Sequence, residues 1–204
     1  MSGKDFDYDV YNEKKGSKSN SLPLAKIVGA LVFLMLIFVT ISSYNSLVTK
    51  DEQVNEAYSQ IESNMQRKLD LLPNLVKVVK AYAAHESELL TKITKLRSSR
   101  LPSNVKDMQE LNKNLNLATM RFFAVAENYP NLKSSEQFLQ LQSQIEGAEN
   151  RINITRMQYN SSVKELNAKR RVFPSNIVAS LAGIGSKEYF KAEAKAHGKI
   201  ELDL

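Results

Sequence analysis

Apolar residues follow two patterns along this chain, and the change from one to the other near residue 45 predicts the architecture. From Ile27 to Ile41 the sequence IVGALVFLMLIFVTI carries no charge. With Leu22, Leu24 and Ala25 before it, and Ser42, Ser43 and Tyr44 after it, the run reaches the roughly twenty residues that cross a hydrocarbon core as a helix. A transmembrane helix is therefore expected over residues 22–44. Lys26 fits at its start because a lysine stem snorkels to the headgroups, and Tyr44 suits the opposite interface. A cleaved secretory signal is the competing reading of so short an apolar core. The long polar stretch before it and the weak small-residue signature after it, Thr40 and Ser42, argue against cleavage.

Beyond Tyr44 the apolar positions take helical spacing. Leu47, Val54, Tyr58, Ile61, Met65, Leu69, Leu72, Val76, Val79, Ala83, Leu90 and Ile93 mark one face. Leu71, Leu75, Val78, Tyr82, Leu89 and Leu96 add a second stripe beside it. The phase passes unchanged through Pro73, so the proline is expected to kink a helix that runs on to about residue 97. Proline removes the bond to the Leu69 carbonyl, at a cost of about 3 kcal/mol, which tertiary packing has to offset. One neighbour is expected along 45–66 and two along 67–97. A second helix opens at Ser103, shows Val105, Met108, Leu111, Leu115, Ala118, Phe122, Val125 and Tyr129, and stops at Pro130. Ser134 with Gln137 reads as the capping box of a third. Its face is Phe138, Leu141, Ile145, Ala148, Ile152, Tyr159, Val163 and Leu166, and it ends in basic Lys169, Arg170 and Arg171 before Pro174. A short apolar piece, Asn176 to Ala182, then reads as a lid or fourth helix.

The fold expected is all-α: an N-terminal transmembrane helix followed by an elongated up-and-down antiparallel bundle of three long helices plus a short fourth. The helix lengths differ too much to match end to end. The membrane-proximal stripe is thus left to the short fourth helix or to a second copy of the chain, which makes a homo-oligomer one of the expected assemblies. Residues 1–21 are polar, mixed in charge and without an apolar period, which predicts disorder. The bundle is assigned to 45–190 and a C-terminal tail to 191–204. Lys14, Lys15, Lys18 and Lys26 precede the span and only Lys50 follows it before Arg67. The positive-inside rule then places the N-terminus in the cytoplasm and the bundle on the far side of a bacterial inner membrane.

Composition narrows the chemistry. None of the 204 residues is cysteine, so disulfides, thiol nucleophiles and thiolate metal sites are absent. A balance of 28 basic to 22 acidic residues, net +6, is ordinary for a salted helical surface, and nucleic acid is not an expected partner. The lipid bilayer is. The glycines have no phosphate-cradling or dinucleotide spacing, and no nucleophile elbow occurs. Asn153-Ile154-Thr155 and Asn160-Ser161-Ser162 fit the glycosylation pattern by chance.

Several longer strings are more specific. YNSLV (44–48), AYSQIESNMQRKLDLLPNLVKVVKAYAAHE (57–86), ENYPNLKSSEQFLQLQ (127–142), AENRI (148–152), YN (159–160) and FPSN (173–176) follow the span in that order. The chain from Tyr44 to Phe190 resembles the LemA family of bacterial membrane proteins. It departs at Tyr58, where the family pattern has tryptophan, and at Ala81, where it has glycine. Residues beyond Phe190 fall outside the resemblance. The resemblance implies a single-pass anchor with a helical bundle and brings no enzymatic activity with it. Tyr129, Pro130, Glu149, Asn150, Arg151, Tyr159, Asn160, Phe173 and Pro174 are its structural motif residues.

Candidate chemistry is sparse. His85-Glu86 lacks the second histidine that an HExxH zinc helix needs, so His85 reads as a packing residue at the edge of the apolar arc. His197 lies in the tail. Arg67, Asp70 and Asn74 line the rim of that arc, where Asp70 is expected to pair with Arg67, and Glu149 and Arg151 flank the third helix in the same way. Interhelical ion pairs are the expected use. With Pro73, His85 and Glu86, the first set also forms a candidate docking surface for another membrane or envelope protein. An adaptor without cofactor or metal is the leading expectation. The rivals are a metal-dependent hydrolase built on Asp70, His85 and Glu149, and a membrane-remodelling protein using the basic tail, Lys187, Lys191, Lys195 and Lys199.

Overall fold

A computed structural model describes residues 24–82, 85–97 and 100–191. The polar stretch 1–21, His197 and nearly all of the tail 191–204 lie outside the described residues. The chain divides into two units, Met1–Val39 and Thr40–Leu204. Six helices follow one another: α1 (Leu24–Tyr82), α2 (Ser87–Arg97), α3 (Val105–Ala126), α4 (Pro130–Lys133), α5 (Glu136–Lys169) and α6 (Ser175–Leu181). The described residues contain no strand, as the helical spacing requires.

Helix α1 is long enough, and apolar enough in its most hydrophobic stretch, to cross a membrane, and none of that stretch is buried. Leu31, Phe33, Leu34, Met35, Leu36 and Phe38 all stand exposed. Large apolar side chains without protein cover suit lipid and not water.

In the second unit α1 continues through Pro73 as a helix, as its phase requires. It does not reach residue 97. α1 stops at Tyr82 and α2 starts at Ser87. Between Tyr82 and Glu88 the sequence offers only Ala83, Ala84, His85, Glu86 and Ser87, with no large apolar side chain to hold a straight course. Two contacts show that α2 doubles back. Glu88 near its start receives a bidentate bond from Arg121 of α3 at 2.6 and 3.0 Å, and beyond its end the Pro102 carbonyl accepts the Tyr58 hydroxyl at 2.9 Å. Chain reversal places Leu89 and Ile93 in the core with no exposure, each worth about 2 kcal/mol of burial. α3 therefore runs parallel to α1, with Tyr58 beside Pro102 and Lys68 beside Asn116. α5 is antiparallel to both, with Glu149 opposite Lys68 and Glu165 opposite Lys50.

The other helix starts shift by about a residue, for local reasons, while α3 ends at Ala126, short of Tyr129, and α5 at Lys169, several residues before Pro174. Asn104, not Ser103, caps α3: its Oδ1 accepts from Asp107 N while its Nδ2 donates to the Asp107 carboxylate, a reciprocal box. Ser135, not Ser134, caps α5 by accepting from Phe138 N at 3.3 Å. Ser134 belongs to the end of α4, where its hydroxyl bonds the Pro130 carbonyl. α4 itself is one turn that the periodicity hid, started by Pro130 at its first position and buried through Leu132.

α6 ends in a Schellman motif. Gly183 takes φ +69°, its N–H reaches Ser180 O, and Ile184 N–H reaches Ala179 O. The chain then leaves helix altogether: residues 184–191 run extended along α5. Here lies the cover for the membrane-proximal stripe. Leu47, Val54, Ile61, Val163, Leu166, Val178, Ala179 and Phe190 form one core with the distal residues. Self-association through that stripe is not needed, because a single chain already buries it.

Candidate functional site

Where α1, α3 and α5 meet, a lysine lies inside the core. Lys68 is 2% exposed and donates to the Glu149 carboxylate and to Asn116 Oδ1. Asn116 Nδ2 closes the triangle on the second Glu149 oxygen at 3.2 Å. Asn112, one turn earlier on α3, is buried too. Glu149 thus makes an interhelical ion pair, as its place at the edge of the stripe implied, but its partner is Lys68. The pair ties three helices at one register. Burying a lysine is unfavourable unless it is paired and bonded in this way.

Asp70 stands two residues further along α1, about 200° around the helix from Lys68. It is exposed and accepts from Gln66 Nε2 at 2.8 Å, not from Arg67. Gln66 lies one full turn away, and so faces Asp70 better than the i, i+3 arginine does. His85 is exposed in the turn after α1, and its carbonyl accepts the Ser87 N–H. Glu86 immediately precedes α2, its carbonyl accepting the Leu90 N–H. Asp70, His85 and Glu149 are therefore not gathered into one site. Among the described residues no group of three His, Asp or Glu side chains is placed to hold a metal ion.

One turn past Pro73 a groove of about 290 Å³ opens between α1 and α5, lined by Asn74, Lys77, Val78, Gln137, Gln140, Leu141 and Gln144. Four carboxamides and an ammonium surround a narrow apolar floor. Such a surface offers donors and acceptors in pairs, which suits peptide backbone. Asn74 is the one residue of the expected docking set that lines this groove. Arg67, Asp70, His85 and Glu86 do not.

A second cluster holds the extended segment 184–191. Asn167 pairs its carboxamide with both backbone groups of Lys187, at 3.0 and 3.1 Å, and Asn160 does the same for Phe190, at 2.8 and 2.9 Å. Seven helical residues rise about 10.5 Å, and three extended residues span about 10 Å, so the two clamps share one register. Arg170 Nε donates to Ile184 O, Tyr159 to Glu188 O and Arg156 to Lys191 O. The Phe190 ring packs against Tyr159 and Tyr58, at centroid distances of 5.2 and 6.5 Å, with the Arg156 guanidinium over its face. Burial, with Glu62 next, pushes the Tyr58 hydroxyl up to about 12, and burial followed by Glu188 raises Tyr159. Asn160 is thus committed to backbone, which removes it as a glycosylation acceptor. Lys187 pairs with Asp51 at 2.9 Å, so it belongs to this strap and not to a free basic tail.

Of the remaining motif residues, Tyr129 and Pro130 build the start of α4 and Pro174 precedes α6. Asn150 is exposed, and the Arg151 guanidinium lies back over Gly147. Phe173 is 79% exposed.

An uncovered apolar helix of spanning length, joined to an all-α bundle pinned by a buried ion pair, defines a membrane-associated helical protein. Residues 57–203 match the model of the LemA family, so the match runs on past Phe190. The chain belongs to the LemA family. Protein LemA of Metamycoplasma hominis is 27% identical over 157 residues, covering 76% of this chain and 72% of that protein. Magnetosome protein MamQ 2 of Paramagnetospirillum magneticum is 22% identical over 192 residues, covering 81% and 71%. Magnetosome protein MamQ of Magnetospirillum gryphiswaldense is 22% identical over 197 residues, covering 82% and 72%.

Proposed function

We propose that this protein is a non-enzymatic, single-pass scaffold or adaptor of the bacterial inner membrane, with its N-terminus cytoplasmic and its bundle extracytoplasmic. The lysine bias across the span supports the orientation. The adaptor reading is carried by the carboxamide-lined groove at Asn74, Lys77, Gln137, Gln140 and Gln144. Its occupant is an extended segment of another membrane or envelope protein: backbone amides pair with the glutamines, an acidic side chain meets Lys77, and an apolar one rests on Val78 and Leu141. The dispersion of Asp70, His85 and Glu149 over separate surfaces favours this role over hydrolysis.

The test is a comparison of crosslinked partners in intact cells between the parent chain and an Asn74→Ala, Lys77→Ala, Gln140→Ala variant. Loss of one discrete partner from the variant is expected. An unchanged set of adducts removes the groove as a docking site.

A further inference from the structure

Val172, Phe173, Ile177 and Leu181 are 52, 79, 53 and 84% exposed. Ile177 and Leu181 lie one turn apart on the outer side of α6, opposite Ser175, Val178 and Ala179, which are buried, and Val172 and Phe173 stand exposed in the turn that leads into the helix. The position of this stripe along the bundle is fixed by contacts. Lys50 bonds Glu165 at 2.7 Å, so the end of antiparallel α5, one turn further on, reaches the level of Leu47. Ser43, one turn earlier on α1, is buried, while Ile41 and Tyr44 beside it are exposed. These last two are where the apolar run of the sequence ends. Lys169 and exposed Arg171 adjoin the stripe, and Arg170 locks the corner by donating to Ile184 O. Apolar anchors flanked by cations, level with the end of a spanning segment, are the composition of an interfacial helix.

We infer that the α5–α6 corner is a lipid-binding wedge: Val172, Phe173, Ile177 and Leu181 enter the acyl boundary of the membrane from which α1 emerges, and Lys169 and Arg171 meet lipid phosphates. The wedge rests on the reading of residues 22–44 as a membrane anchor.

The chain has no tryptophan, so a single introduced indole reports one site. Full-length Phe173→Trp and Leu181→Trp proteins are reconstituted into phosphatidylethanolamine–phosphatidylglycerol vesicles with and without brominated acyl chains. Phe33→Trp in the span and Met157→Trp on α5, about 20 Å from the corner, serve as references. The reporters at 33, 173 and 181 are expected to emit in the blue and lose most of their emission on bromination, and the one at 157 is expected to emit as in water without quenching. Quenching at 33 with none at 173 and 181 overturns the wedge and leaves the anchor standing. A blue shift at 173 and 181 without quenching means that protein covers them, which also overturns it. No quenching at 33 overturns the anchor and the wedge together.

Discussion

Removing either member of the Lys68–Glu149 pair is expected to destabilise the bundle, but by different amounts. Glu149 is 29% exposed and Lys68 only 2%. Glu149→Leu takes the carboxylate from a buried ammonium and leaves it the neutral Asn116 oxygen, and breaking a buried pair in that way costs about 3–5 kcal/mol. Lys68→Met strands a carboxylate that keeps water on one side and the Asn116 amide at 3.2 Å, so the cost falls to about 1–2 kcal/mol. The double variant replaces two charges by apolar side chains of similar volume, which is typically neutral or stabilising. At about 2–4 °C per kcal/mol for a body of this size, Glu149→Leu lowers Tm by about 10 °C, Lys68→Met by a few degrees, and the double variant scarcely at all. Thermal unfolding of the detergent-solubilised chain, followed by circular dichroism, reads this order directly, because the span stays helical in the micelle. Equal losses from the two single variants, or a double variant that sums them, would refute the reasoning.

Tyr58 gives an alkaline signature. Burial raises its hydroxyl from the ordinary tyrosine value of 10.0 to about 12, so its contribution is intact below pH 10 and is lost as the pH rises toward 12. Tyr58→Phe should flatten the loss of stability in that window, and an unaltered pH profile would assign the loss elsewhere. Gly147 lies inside α5, and a Cβ there would meet Arg151 Nη2 at an ordinary 3.7 Å. Gly147→Ala is expected to stabilise by about 1 kcal/mol through helix propensity, and a fall in Tm would show that the arginine cannot shift. Asn160→Ala removes both bonds to Phe190 and costs about 1 kcal/mol, with faster amide exchange confined to residues 187–191. Unchanged exchange there would mean that the rings alone hold the strap.

Much of this structure was legible because helical periodicity records burial. The stripes of α1, α3 and α5 and the passage through Pro73 follow from residue spacing alone. The reversal after Tyr82 was hidden because the apolar phase of Leu89 and Ile93 continues that of α1, although those residues face the core from a helix running the other way. Lys68 was missed for a related reason. It occupies the stripe between Met65 and Leu72 at helical spacing, and that coincidence was its only signal: a charge on a core phase needs a partner from another helix. Asn160 was marked only by the family resemblance and Asn167 by nothing, since an amide that clamps backbone recognises no particular side chain. The groove at Asn74 depends on which glutamines of α5 face α1, a matter of helix rotation that side-chain polarity does not encode.

The central claim is that the residues around Pro73 serve contact with another protein and not a reaction. It is tested most directly by placing a photo-crosslinking amino acid at Asn74, and at Met157 as a control, in the full chain in its native membrane. A single discrete adduct from Asn74, with none from Met157, is the expected result. Adducts that are absent at Asn74, or identical at the two positions, would contradict it.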